Sequence, residues 1–309
     1  MATIHHSLQL RDRAVVAVMR VVMASMKGSY SGDAARASFD ELMEKVPSLP
    51  HVTYLEAEVG GVPGFWCRPA NSAPGKVILY LHGGAYVVGS ARAFRHFVGQ
   101  IAGRAGVAAF VPEYRLPPEY PFPAAFEDAL ATYDGLDASD CTRIALAGDS
   151  AGGGLALALL SLASARARGG GGVGPVCAAV ISPWTDLTLS GMSVKTRAKA
   201  DPLLTRDALA SAARLYLDDH DPRDPLASPL FGDLTGLPPV RIHVGEDEIL
   251  LDDSLRYARK LDQLGGTSEV HSWKGMVHVF PSNVAHLKAS IDALDDIAGF
   301  LRVRLQVAG

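Results

Sequence analysis

Ser150 lies at the centre of Gly148-Asp149-Ser150-Ala151-Gly152, between the apolar runs Ile144-Ala145-Leu146-Ala147 and Leu155-Ala156-Leu157-Ala158-Leu159-Leu160. A buried strand, a tight turn and a helix in that order raise a serine to the top of a sheet, provided glycines on either side let strand and helix approach each other. There its hydroxyl can attack a carbonyl carbon. A hydroxyl is inert at its own pKa, so the chemistry also needs a base, a group to orient the base and donors for the oxyanion. Glycine is common here, 31 of 309 residues, so the pentapeptide is a modest signal and its partners decide what it means.

The chain order for such a site is serine, acid, histidine. His278 follows the strand-like stretch Glu269 to Ser272, in the loop Lys274-Gly275-Met276-Val277-His278-Val279-Phe280. Of the ten histidines it alone has both the order and the loop position. His5 and His6 fall in a terminus read as frayed, His96 and His220 come too early, His243 and His271 lie in strands, and His286 begins a helix; these are read as surface or packing residues. The acid belongs to Gly245-Glu246-Asp247-Glu248-Ile249-Leu250-Leu251-Asp252-Asp253, where position after the strand permits Asp247 or Glu248 equally. The other carboxylates suit the amino end of the following helix.

Oxyanion donors come from His82-Gly83-Gly84-Ala85, after the apolar run 77–81. The backbone N–H groups of Gly83 and Gly84 are expected to turn toward the serine and join that of Ala151. His82 is expected to brace that loop. The reaction these groups support is acyl transfer: Ser150, deprotonated by His278, attacks an acyl carbonyl, and water activated by the same histidine releases the acid. No metal or organic cofactor has a place in it.

The elements that must position these residues alternate from about residue 54 onward. An edge hairpin pairs 54–59 with 63–67 across Gly60-Gly61, and further strands are expected at 77–81, 107–111, 143–147, 176–181, 240–244 and 269–272. Between them helical periodicity marks 93–105, 123–133, a helix from Ser150 to about Arg168, 253–264 and 285–301. That alternation predicts an α/β domain with a mostly parallel, eight-stranded sheet flanked by helices. Two segments stand outside it. One is N-terminal, with Val15, Met19, Val22 and Met26 on one helical face and a second helix between Asp33 and Val46. The other is the excursion 187–232 with a helix at Arg206 to Leu217, placed where a lid or substrate wall would sit. The predicted division is a helical cap at 1–50 and a catalytic domain at 51–309, with 187–232 contributing to the cap.

A formal charge of −4, with no dense basic run, leaves no footprint for nucleic acid. Cys67, Cys141 and Cys177 are far apart and odd in number, as expected of apolar fillers in a reducing compartment. The first residues lack the pattern of a secretory signal, and the apolar residues at 15–26 are interrupted by Arg20, so the expectation is a cytoplasmic protein without stable membrane association. Gly169 to Gly172 has no phosphate-binding lysine behind it and reads as a loop.

With these residues assembled, the sequence resembles the hormone-sensitive-lipase-like branch of the α/β-hydrolases, the bacterial carboxylesterases. The stretches that carry the resemblance are His82-Gly83-Gly84-Ala85-Tyr86, Glu113-Tyr114-Arg115-Leu116-Pro117-Pro118-Glu119, Gly148-Asp149-Ser150-Ala151-Gly152-Gly153 and Ser182-Pro183-Trp184-Thr185-Asp186-Leu187. The family's usual acid motif, aspartate-proline-leucine-x-aspartate, aligns with Glu248-Ile249-Leu250-Leu251-Asp252 and so favours Glu248 over Asp247. Ala85 stands where the family commonly has a third glycine. The resemblance implies hydrolysis of short- to medium-chain esters, an N-terminal helical cap and homodimers formed through an edge strand. Lactones, acetylated small molecules and amides are the rival substrates. A non-catalytic ligand-binding protein on the same fold is disfavoured by the presence of His278.

Overall fold

The computed structural model describes residues 2–29, 32–139 and 141–307; Met1, Tyr30, Ser31, Asp140, Ala308 and Gly309 lie outside the described residues. In chain order the elements are β1 (Ala2–His6), α1 (Leu10–Ala24), α2 (Arg36–Met43), β2 (Val52–Val59), β3 (Val62–Pro69), β4 (Lys76–Leu81), α3 (Ala91–Ala105), β5 (Ala108–Pro112) and α4 (Ala124–Asp137). Then come β6 (Arg143–Asp149), α5 (Ser150–Arg168), β7 (Cys177–Ile181), α6 (Ser193–Thr196), α7 (Arg206–Leu217), β8 (Val240–Gly245), α8 (Leu251–Gln263), β9 (Ser268–Trp273) and α9 (Lys288–Leu305). The strands form one sheet in the order β1-β9-β8-β7-β6-β4-β5-β3-β2. Every pairing is parallel except β5 with β3 and β3 with β2.

Among the described residues the sheet has nine strands, not the eight expected. The addition is β1, which pairs with β9 in the register Ala2↔Glu269 to His6↔Trp273. His5 and His6 therefore belong to a sheet edge and not to a frayed terminus. His6 is held there by stacking on Trp273, ring centroids 3.7 Å apart, and by a 3.0 Å hydrogen bond with His271. A five-residue strand with two histidines carries almost no hydrophobic alternation, so the pattern that reveals the other strands misses it.

Strand β4 is apolar at every position after Lys76 because both faces of the sheet are covered. Val77, Leu79 and Leu81 pack with Ala129 of α4 and with Leu155 and Leu159 of α5. Ile78 and Tyr80 face the other way, onto Phe94 and Phe97 of α3 and Leu294 and Ile297 of α9. Helix α5, long and apolar enough by composition to cross a membrane, is instead 72% buried over that window against the sheet.

The residues ahead of β2 are anchored by polar contacts. Asp12 is fully buried in α1 and caps α9, accepting from the backbone N–H groups of Lys288 and Ala289 at 2.9 Å each. Arg20 donates to Ala200 O at 2.7 Å and Lys27 to Ala198 O at 2.8 Å, which straps α1 and the turn after it to the excursion between β7 and β8. Arg36 ties α2 to Val87 O at 3.0 Å and Pro117 O at 2.7 Å. The inward stripe of α1 is Val16, with Val15, Met19 and Met23 partly buried. Val22, expected on that stripe, is exposed together with Leu10, Val18 and Val21.

Candidate active site

Strand β6 ends at Asp149 and α5 starts at Ser150 with no loop between them. The corner is tight enough to hold Ser150 at φ 52°, a backbone conformation rarely populated by residues other than glycine and often found at functional sites. Small residues make the approach feasible. A Cβ on Gly152 would lie 2.1 Å from Leu81 O, and one on Gly148 would lie 2.5 Å from Gly152 O.

His278, in the loop after β9, places Nε2 2.9 Å from Ser150 Oγ and Nδ1 3.2 Å from Glu248 Oε1. A carboxylate only accepts, so Nδ1–H donates to Glu248 and Nε2 keeps the lone pair that can take the serine proton. Glu248 follows β8 and is fully buried; its Oε2 accepts from Ser182 Oγ at 2.8 Å and from Gly245 N–H at 3.1 Å. Burial alone would lower the His278 pKa, but the charge and hydrogen bond of Glu248, with the charges of Asp201 and Asp149, raise it above its ordinary 6.5. Asp247 points elsewhere, into an ion pair with Arg20 of α1. The geometry thus separates two neighbouring carboxylates that position along the chain could not.

The oxyanion loop departs from expectation at Gly83. Its N–H donates to Asp149 Oδ1 at 3.0 Å, beside the hydroxyl of Tyr80, which donates to the same oxygen at 2.8 Å. Burial drives the Asp149 pKa up to about 6 against those two donors. Gly83 therefore fastens the loop to β6 and does not face the cavity, correcting its assignment as an oxyanion donor. Gly84 and Ala85 do line the cavity, and neither backbone N–H has an acceptor among the described residues. Gly84 at φ 123° and Ala85 at φ 52° wind the chain through positive angles at the cavity wall. Ala151, in the first turn of α5, adds an N–H of the kind a helix start leaves without an intrahelical partner. His82 is buried with Nδ1–H on Gly83 O at 2.8 Å, and burial lowers its pKa to about 4, so it braces the loop as a neutral ring.

Ser150 and His278 open onto a cavity of about 270 Å³. Its walls are largely apolar: Phe39, Met43 and Val46 from the segment around α2, Leu203, Leu204 and Leu209 from the excursion around α7, and Phe94 from α3. Lys45 and His286 stand exposed at its rim. Of the methionines in the N-terminal segment, Met23 and Met43 reach the lining.

Residues of metal-binding type meet at the far edge of the sheet, where ligand atoms of His243, His271 and Asp296 lie within 4.8 Å of one another. Trp273 Nε1–H donates to His243 Nδ1 at 3.1 Å, so Nε2 carries the proton it gives to Asp296 at 2.9 Å. Arg241 pairs with both Asp296 and Glu269. His271 is likewise engaged at both ring nitrogens, by His6 and Glu269, so the histidine nitrogens and the Asp296 carboxylate are taken up by protein partners, as in a structural hydrogen-bond network.

Sequence reasoning missed Ser182 and Asp201. Ser182 belongs to the stretch Ser182-Pro183-Trp184-Thr185-Asp186-Leu187, whose pattern alone gives the serine no role. Asp201 is fully buried and accepts from the N–H of Ile249, Leu203 and Leu204 at 2.9, 2.8 and 2.8 Å, tying the excursion ahead of α7 to the acid's loop.

A serine at a strand–helix corner, a histidine on it and a carboxylate on the histidine define a serine hydrolase on a doubly covered, mostly parallel sheet. Residues 78–282 match the α/β-hydrolase fold family. The chain belongs to that family, in its hormone-sensitive-lipase branch of esterases. It is 40% identical to an acetyl-hydrolase of Streptomyces hygroscopicus over 86% of this chain and 88% of that one. It is 35% identical to an esterase of Acinetobacter venetianus over 87% and 88%. Among solved structures, a hormone-sensitive lipase from a metagenome library superposes with a TM-score of 0.87 at 32% identity, covering 96% of this chain and 99% of that one. An esterase/lipase from an uncultured bacterium gives 0.85 at 36%, covering 94% and 99%. The chain is thus a serine-dependent carboxylic ester hydrolase.

Proposed function

We propose that the protein hydrolyses short- to medium-chain carboxylic esters, with Ser150 as nucleophile, His278 as general base and then acid, and Glu248 orienting His278. The observation that carries this reading is the continuous hydrogen-bond chain from Ser150 through His278 to Glu248, opening on a small apolar cavity. As Ser150 Oγ adds to the acyl carbon, its proton passes to His278 Nε2 and the imidazolium is stabilised by Glu248. The carbonyl oxygen becomes an oxyanion within reach of the N–H groups of Gly84, Ala85 and Ala151, a donor set in which each member is worth about 2.7–4 kcal/mol to the transition state. His278 protonates the departing alkoxide, then takes a proton from water as it attacks the acyl-enzyme. No metal or organic cofactor enters these steps.

The cap in this reading is residues 1–50 together with 187–232, resting on a catalytic domain of 51–309, because both segments supply cavity wall. A volume of about 270 Å³, just below the range of about 300–1,000 Å³ for ligand sites, suits a small substrate. The protein is assigned to the cytoplasm, in keeping with three unpaired thiols, without nucleic-acid or stable membrane partners. Burial pushes the Cys177 thiol up to about 12, as befits an inert filler. Homodimers through an edge strand, β1 or β2, are the proposed assembly.

A panel of p-nitrophenyl esters tests the substrate reading. Butyrate and hexanoate should be cleaved faster than palmitate; a palmitate rate above the hexanoate rate contradicts it. The name of the Streptomyces hygroscopicus relative favours acetyl esters as the second reading. That reading requires kcat/KM for acetate to exceed that for butyrate.

A further inference from the structure

We propose that Ser182 is a positioning residue for hydrolysis: its hydroxyl ties the loop of the acid to the loop of the base and fixes the extra torsion that a glutamate brings to this site. The proposal rests on the assignment of Ser150, His278 and Glu248 given above.

Ser182 immediately follows β7, is fully buried, and has its own N–H on His243 O at 2.7 Å. Its Oγ makes two hydrogen bonds whose directions are unambiguous. Toward Glu248 Oε2, at 2.8 Å, it can only donate, because a carboxylate has no proton to give. Toward Val279 N–H, at 3.2 Å, it can only accept. One hydroxyl therefore joins residue 248 to the residue after His278.

Both ends of that link need holding. Glutamate has one more rotatable bond than the aspartate usual in this family, and free rotation there would swing Oε1 away from the ring. Oε2 is pinned by Ser182 Oγ–H and Gly245 N–H, so Oε1 is left facing His278 Nδ1. At the other end Val279 sits at φ 49° and ψ 37°, left-handed angles that a β-branched residue adopts only under constraint. That conformation orients the backbone next to His278, and the bond to Ser182 is what occupies its N–H. Ser182 is not itself part of the cavity lining and has no hydrogen bond to Ser150; it meets the lining only through the backbone N–H of Val279, so its effect reaches the reaction through Glu248 and the loop of His278.

The ionisable groups facing His278 are Glu248, Asp201 and Asp149. Loosening Glu248 removes a group that holds the proton on His278, so the acid limb of kcat/KM should move to lower pH.

The test is kinetics on the full chain with p-nitrophenyl butyrate for Ser182→Ala, Ser182→Gly, Ser182→Cys and Ser182→Thr, each checked by circular dichroism and Tm. The alanine and glycine variants should lose about 10- to 100-fold in kcat with KM within twofold, and the acid limb should shift down by at least 0.3 pH unit. Ser182 has φ 47°, so glycine relieves its backbone strain without restoring the hydroxyl. Cysteine, nearly isosteric and a weak donor, keeps the test open if alanine fails to fold; it should lose at least about fivefold. Threonine, which keeps the hydroxyl, should recover at least part of the alanine loss. A kcat within twofold of the parent for folded alanine or cysteine variants overturns the proposal. So does recovery by glycine, or a fall in kcat with an unmoved acid limb. Ser150→Ala, run alongside, distinguishes the two levels: persistent turnover there overturns the catalytic assignment, whereas inactivity there with an unaffected Ser182→Ala overturns only the role of Ser182.

Discussion

At the scale of single residues, a carboxylate 3.2 Å from Nδ1 of His278 is separated by one position from a carboxylate that pairs with Arg20. Replacing Glu248 by glutamine should cost about 10³- to 10⁴-fold in kcat, whereas asparagine at Asp247 should leave kcat within about threefold. The sign of the pH effect follows from the same contact. The base must be neutral, so activity falls as pH drops through the pKa of His278, which Glu248 holds above 6.5. In Glu248→Gln the charge is gone and burial prevails, so the acid limb of kcat/KM should move below that of the parent. Equal losses at 247 and 248, or a limb that does not move, would contradict this assignment. Ser150 and His278 were legible in the sequence because order along the chain and loop position suffice to find them. Glu248 was singled out only by resemblance, since Asp247 and Glu248 look alike until their side-chain directions are known. Gly83 was misjudged because two neighbouring glycines differ only in which N–H Asp149 engages, and that is a fact of tertiary packing.

At the scale of elements, the β6–α5 corner depends on close approach, and glycines there are not equivalent to glycines elsewhere. Gly152→Ala would place a methyl group 2.1 Å from Leu81 O and should destabilise the protein by about 1–3 kcal/mol while lowering activity. Gly299→Ala, inside α9 with open space around it, should stabilise by about 0.5–1 kcal/mol and leave kcat unchanged. Denaturant melts of the two variants check both signs, and a stabilising alanine at 152 would contradict the packing described. The buried parallel strands were readable because coverage on both faces makes them continuously apolar, as in β4. The facing of α1 was readable only in part. Its outward surface retains Leu10, Val18, Val21 and Val22, so hydrophobic spacing placed Val15 and Met19 inward correctly but misplaced Val22, and a buried aspartate, Asp12, does much of the anchoring.

At the scale of the whole molecule, the chain closes on itself through β1, which lies against β9 although nearly the entire sequence separates them. His6 is the residue that secures it, by its stack on Trp273 and its bond to His271. His6→Ala should lower stability by about 1–2 kcal/mol with kcat within twofold, read from urea midpoints and butyrate hydrolysis. No loss of stability would mean that the β1 edge contributes nothing to the fold. The remaining architecture serves one arrangement: the sheet sets the spacing of Ser150, Glu248 and His278, and the segments around α2 and α7 wall the cavity over them. The central claim is that Ser150 carries the acyl group during turnover. The most direct measurement mixes enzyme with p-nitrophenyl butyrate on a rapid-quench timescale and locates the adduct by peptide mass spectrometry. The account predicts a butyryl group on Ser150, and neither adduct nor turnover in Ser150→Ala. An adduct on a different residue, or undiminished hydrolysis by Ser150→Ala, would contradict it.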